Sequence, residues 1–222
     1  MNKDNILYGI IGLLLGLILG FFGANYLNRN SAAPAPAQNA PVMQNASGQP
    51  PPPGTGGAML PQVKEALDKA KNEPDNFEAQ KEAGMMYDRI QRFDEALKYL
   101  TIANRIDPED FETNVKLGNI NFDAGKFEEA EKFYTAALEQ KPDAVGVRTD
   151  LGLTFFFRKP PDIDRAISEY RKSLGYDPKH ELTLQNLCAA LKKKGDTAAL
   201  AEAIKKLEEV NPNNEALAKL KQ

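Results

Sequence analysis

An all-α array of stacked helical hairpins, set behind an N-terminal membrane span and a flexible stalk, is the architecture this sequence predicts. Three observations predict it. A pattern of glycine, alanine and proline recurs with a period of 34 residues from residue 77 onward. Residues 6–27 contain no Lys, Arg, Asp or Glu. Residues 31–57 carry no charge and are rich in Pro, Ala, Gln and Gly.

The apolar run "ILYGIIGLLLGLILGFFGANYL" spans 22 residues after a five-residue tail. At about 1.5 Å per helical residue it reaches roughly 33 Å, enough to cross the hydrocarbon core of a bilayer. A cleavable signal needs small residues just past its apolar core. Ala24 has Phe22 two positions before it, and the Ala35-Pro-Ala37 site lies too far away, so an uncleaved anchor is expected. A lipid anchor needs a cysteine at the end of the run, and the only cysteine is Cys188. The short N-terminal tail suits a signal anchor that leaves its N-terminus inside. Lys3 before the span and Arg29 after it leave the charge asymmetry even, with Asp4 offsetting the former; the expectation is a single-pass protein of the bacterial inner membrane with its array in the periplasm.

Gly9, Gly12, Gly16, Gly20 and Gly23 fall on one face of this span. Their spacing matches the small-residue pattern through which membrane helices approach closely, which suits a homodimer or docking on another membrane protein. Glycine is also common in membrane spans for no such reason, and the sequence leaves the choice open. The linker at 28–58 cannot bury a core and is expected to be disordered. The 27 uncharged residues 31–57 reach about 84 Å as polyproline II or roughly 30 Å as a coil, holding the array away from the membrane.

Within the array, Gly84, Gly118 and Gly152 correspond, as do Ala96, Ala130 and Ala166, then Ala103, Ala137 and Ser173, then Pro108, Pro142 and Pro178. Glycine inside a helix costs roughly 1 kcal/mol against alanine, so its recurrence there implies close approach of a second helix. Gly125 and Gly195 sit where a left-handed cap would end the first helix of a hairpin. The prolines disfavour helix in the residue before them and separate one hairpin from the next. A fourth unit keeps Leu187, Gly195 and Pro212 but has Cys188 in place of the glycine and Leu200 in place of the alanine. The units are 77–110, 111–144, 145–180 and 181–214, the third lengthened by two residues around Lys159-Pro160-Pro161. Residues 59–76 supply a flanking helix and residues 215–222 a terminal cap, as stacked hairpins require at their ends.

This pattern, four times in register over residues 77–214, resembles the tetratricopeptide repeat family. The resemblance implies a helical-hairpin solenoid of about four repeats whose first helices line a concave groove that takes up a peptide or partner protein. Carried over from that family, the groove positions are Lys81, Met85 and Arg89 in the first repeat, and Asn119 and Phe122 in the second. Leu153, Phe156 and Phe157 follow from the third, then Gln185, Lys192 and Lys193 from the fourth. Phe122, Leu153, Phe156 and Phe157 would form an apolar patch between Arg89 and Lys192-Lys193, suited to an apolar segment that carries acidic residues. Packing of Phe156 or Phe157 between repeats, with the lysines merely solvated, is the competing reading. The clamp that resembling domains use for chaperone tails is matched at Lys81 but not at Met85, Lys116, Gly146 or Asp150.

No nucleophile with a base, no paired carboxylates and no metal-ligand spacing stand out, so neither enzyme activity nor a cofactor is expected. The chain has a formal net charge of −3 and no basic stripe, which argues against nucleic acid. His180 is expected as a solvated loop residue and Cys188 as a small core residue. The order of anchor and repeats is also similar to the tetratricopeptide subunits of c-type cytochrome maturation, which makes an apoprotein-holding assembly factor the alternative function.

Overall fold

The prolines that punctuate the sequence set the rhythm of the structure. Asp107, Lys141, Asp177 and Asn211, each just before a proline, have ψ between 83° and 95°, and each ends a helix. In this computed structural model residues 61–221 are described. The predicted membrane span, with Gly9, Gly12, Gly16, Gly20 and Gly23, and the stalk lie outside the described residues. Among the described residues there is no strand, and no helix is long and apolar enough to cross a membrane.

The helices are α1 (Pro61–Asn72), α2 (Phe77–Arg89), α3 (Phe93–Ile106), α4 (Phe111–Asp123) and α5 (Phe127–Gln140). They continue with α6 (Val145–Phe157), α7 (Ile163–Tyr176), α8 (Glu181–Lys194), α9 (Thr197–Val210) and a single turn, α10 (Leu217–Leu220). Helices α2 and α3, α4 and α5, α6 and α7, and α8 and α9 pair as hairpins, and each hairpin packs on the next. Asn76, Asp110, Asp162 and Asp196 cap α2, α4, α7 and α9 by accepting the backbone N–H three residues on.

Inside each hairpin the small residues mark the closest approach. Ala96, Ala103, Ala130, Ala137, Ala166 and Ser173 are fully buried. A Cβ on Gly118 would lie 2.6 Å from the Tyr134 ring, and one on Gly152 would lie 2.4 Å from the Tyr170 ring. Leu100 fills the same place over Gly84. The core therefore runs as a file of large side chains from the second helices set on bare backbone of the first.

The hairpin turns show a feature the sequence hides. Gly125 and Gly195 take left-handed backbone with φ of 72° and 81°, and in the first hairpin Gln91 takes the same conformation at φ 61°. A side chain there is strained by about 1 kcal/mol or more. In the lengthened third turn the Lys159-Pro160 bond is cis.

The flanking helices close the stack. Ala66, Leu67 and Ala70 of α1 are buried, while Lys64, Glu65, Asp68 and Lys69 stay exposed. Gln80 donates to the Ala70 carbonyl at 2.6 Å, pinning α2 to α1. Leu217 and Leu220 of α10 are buried at the other end, where α10 meets α8 and α9.

Candidate binding face

The first helices α2, α4, α6 and α8 carry the face of interest, and its chemistry changes along the array. At the first two repeats it is charged and self-paired. Lys81 reaches Asp110, which caps α4, and Glu112 in the first turn of α4, each at 3.0 Å, and Lys116 reaches back to Asp88 at 2.7 Å. Burial pushes the Lys81 ammonium down, but its two carboxylate partners outweigh that and hold its pKa above the ordinary value. Burial likewise pushes Asp110 up, and bonds from Thr113 and Lys81 outweigh it, holding the carboxyl below its usual range. Arg89 is exposed at the end of α2, and Met85 is half-buried.

From the second repeat to the fourth the face turns aromatic. Phe122 meets Phe157 edge-on at 6.2 Å between centroids, and Phe157 meets Phe156 in the same way at 5.1 Å. The Lys193 ammonium lies 4.6 Å from the Phe156 ring centroid. The attraction of a cation for an aromatic face holds that long side chain in place. The resulting seam of Phe122, Phe157, Phe156 and Lys193 crosses three repeats.

Two residues expected to line the face do not. Phe122 is 2% exposed and Leu153 is 1% exposed, so they form its floor. Phe122 is covered by Phe157 and by Phe127, whose ring lies 5.5 Å away. Only Phe156 and Phe157 of the four apolar candidates keep part of their surface in solvent. The competing reading thus holds for Phe157 in part, since that ring bridges repeats while keeping part of its surface in solvent.

The polar candidates have partners of their own. Asn119 accepts a 2.8 Å hydrogen bond from the Tyr134 hydroxyl, and Gln185 accepts from Asn214 at 3.2 Å. Lys192 donates to the Lys219 carbonyl at 2.6 Å. Beneath the face, at the junction of the third and fourth repeats, Thr149, Ser173 and Thr183 form a buried cluster of hydroxyls, with Thr149 and Thr183 2.6 Å apart. His180 is half-buried beside it with Nδ1 2.6 Å from the Thr183 hydroxyl, and is therefore not the simple solvated loop residue that was expected. Cys188 is buried, and burial pushes its thiol up to about 11.

Sequence reasoning missed the pairing of Lys116 with Asp88 and the hydroxyl cluster. Both join residues of neighbouring repeats, so no single unit displays them. Among the described residues no group of His, Cys, Asp and Glu could hold a metal ion.

Residues 82–151 match the family model described as tetratricopeptide repeat. The fold is that of the tetratricopeptide repeats. The crystal structure of MamA protein superposes with a TM-score of 0.63 at 23% identity, covering 71% of this chain and 83% of that one. YrrB, described as a TPR protein with an unusual peptide-binding site, gives a TM-score of 0.65 at 20% identity over 72% of this chain and 84% of its own. MamA from Desulfovibrio magneticus RS-1 gives 0.62 at 17% identity over 69% and 85%. No curated protein matches the chain. These likenesses extend the tetratricopeptide fold beyond the segment matched by sequence.

Proposed function

We propose that this chain is a membrane-tethered scaffold that binds a peptide or partner protein along the groove formed by its first helices. The observation that carries this reading is the aromatic seam. Phe156 and Phe157 are large apolar side chains held half-buried on rigid helices, each keeping part of its surface in solvent, with the Lys193 ammonium against Phe156. Rigid aromatic anchors beside a cation are the groups that dominate interface energies. The fold adds support, because a neighbour of the same architecture is described as having a peptide-binding site. Nothing among the described residues points to catalysis.

The groove is proposed to comprise Lys81, Met85, Arg89, Asn119, Phe156, Phe157, Gln185, Lys192 and Lys193, over a floor of Phe122 and Leu153. An apolar segment carrying acidic residues fits it. Tethering rests on the charge-free run at 6–27, and the glycine face of that run is proposed to join two copies. The array is proposed to lie in the periplasm of a bacterial cell.

The test is purification of the tagged full chain from detergent-solubilised membranes, beside the Phe156→Ala and Lys193→Glu variants. Loss of an aromatic anchor should weaken a bound partner about tenfold or more, so that it washes away from the variants. Retention of the same partners by folded variants would remove the seam from the binding site. Digestion of residues 58–222 by protease added to intact spheroplasts would place the array outside the cytoplasm, and protection until lysis would place it inside.

A further inference from the structure

The junctions between repeats are built from different chemistry, and the first is the most ionic of them on the binding face. Between α2 and α4, Lys81 bridges to the α4 cap Asp110 and to Glu112, and Lys116 bridges to Asp88. Behind them Asn104 donates to Asn114 at 3.0 Å, and the Thr113 hydroxyl is buried without a partner. The apolar core does continue across, through Leu117 and Ile120, but polar groups occupy much of the seam. The second junction combines the pairing of Arg158 and Arg165 with Glu131 and the ring contact of Phe122 with Phe157. The third is closed by the neutral hydroxyls of Thr149, Ser173 and Thr183, and the Lys194 to Asp164 pair at that end is largely exposed.

A solenoid's stability is approximately a sum of repeat terms and junction terms, so the array parts first where a junction is weakest. Ion pairs with 17–34% of the side chain exposed, like those of Lys81 with Asp110 and Lys116 with Asp88, are accessible to counterions. Such pairs weaken as ionic strength rises, whereas buried hydroxyl contacts do not.

We infer that α1 to α3 form a separable unit, docked on α4 to α10 through a salt-sensitive ionic seam, and that the array opens there before it opens anywhere else. This inference stands independently of what the groove binds. It has a consequence for the face, since Lys81, Asp88, Glu112 and Lys116 all lie on first helices: when the seam parts, four charges engaged with one another become available on that face.

Amide hydrogen exchange on the full chain in a non-ionic detergent, at 0.05 M and 1 M NaCl, tests it; ordinary fraying of both ends is the alternative. The fourth repeat, also terminal but closed by hydroxyls, is the internal control. Raising the salt should speed exchange in α2 and α3 by roughly five-fold or more while leaving α8 within a factor of about two. The Lys81→Met/Lys116→Met double variant should show the fast exchange already at low salt and lose the salt response. Equal salt effects at both ends, or α2 and α3 protected as well as α4 and α5 at both salt levels, would overturn the inference.

Discussion

The second and third hairpins bury the same glycine under the same tyrosine, yet the two phenols end in different surroundings. Over Gly118, the Tyr134 hydroxyl donates to Asn119 at 2.8 Å. Over Gly152, Tyr170 is fully buried, the residue after the glycine is Leu153, and the hydroxyl has no partner. Burial, with the Asp150 charge adding to it, pushes the Tyr170 phenol well above its ordinary pKa, so it stays neutral. Stability alone would favour asparagine or a phenylalanine in the third hairpin. The third hairpin instead buries Leu153 where the second carries the polar Asn119, and leaves the Tyr170 hydroxyl unpaired.

That contrast can be broken most forcefully at its shared element. Gly118→Ala and Gly152→Ala each push a methyl into a tyrosine ring, and overpacking of this kind costs about 3 kcal/mol. Thermal denaturation should show both destabilised to a similar extent, and a harmless substitution at either position would mean that the helices can move apart. The tyrosines then separate the two hairpins. Tyr134→Phe should lose about 1 kcal/mol with its hydrogen bond, while Tyr170→Phe should be neutral or slightly stabilising because it removes an unpaired hydroxyl. Equal losses in urea titrations of the two variants would show that Tyr170 has a partner after all. The smallest effect concerns the first hairpin, where Gln91→Gly matches the backbone of Gly125 and should add about 0.5–1 kcal/mol. An unchanged melting temperature would mean that the Gln91 side chain returns what its backbone strain costs.

Most of the architecture was legible because it is periodic. Glycine, alanine and proline at matched positions revealed four hairpins, and the polar outer face of "MLPQVKEALDKAKN" revealed the flanking helix. The left-handed turns at Gly125 and Gly195 could be read because glycine marks them, whereas Gln91 carries no such mark and its conformation was invisible. The binding face was legible only as a list of positions. Position within a repeat shows which side of the helix a residue occupies, but not whether a ring from the next repeat covers it. Phe122 and Leu153 were therefore expected at the surface and lie beneath it. The pairs of Lys81 with Glu112 and of Lys116 with Asp88 escaped notice for the same reason, because they join adjacent units.

The central claim, that partners bind on the aromatic face, is tested most directly by a photo-reactive benzoyl-phenylalanine placed at Phe156, with a second one at Arg171 on α7 as the control. In intact cells the account predicts a discrete adduct from position 156, abolished by Lys193→Glu in the same chain, and none from position 171. Adducts from position 171 alone, or an adduct at 156 indifferent to Lys193, would contradict it.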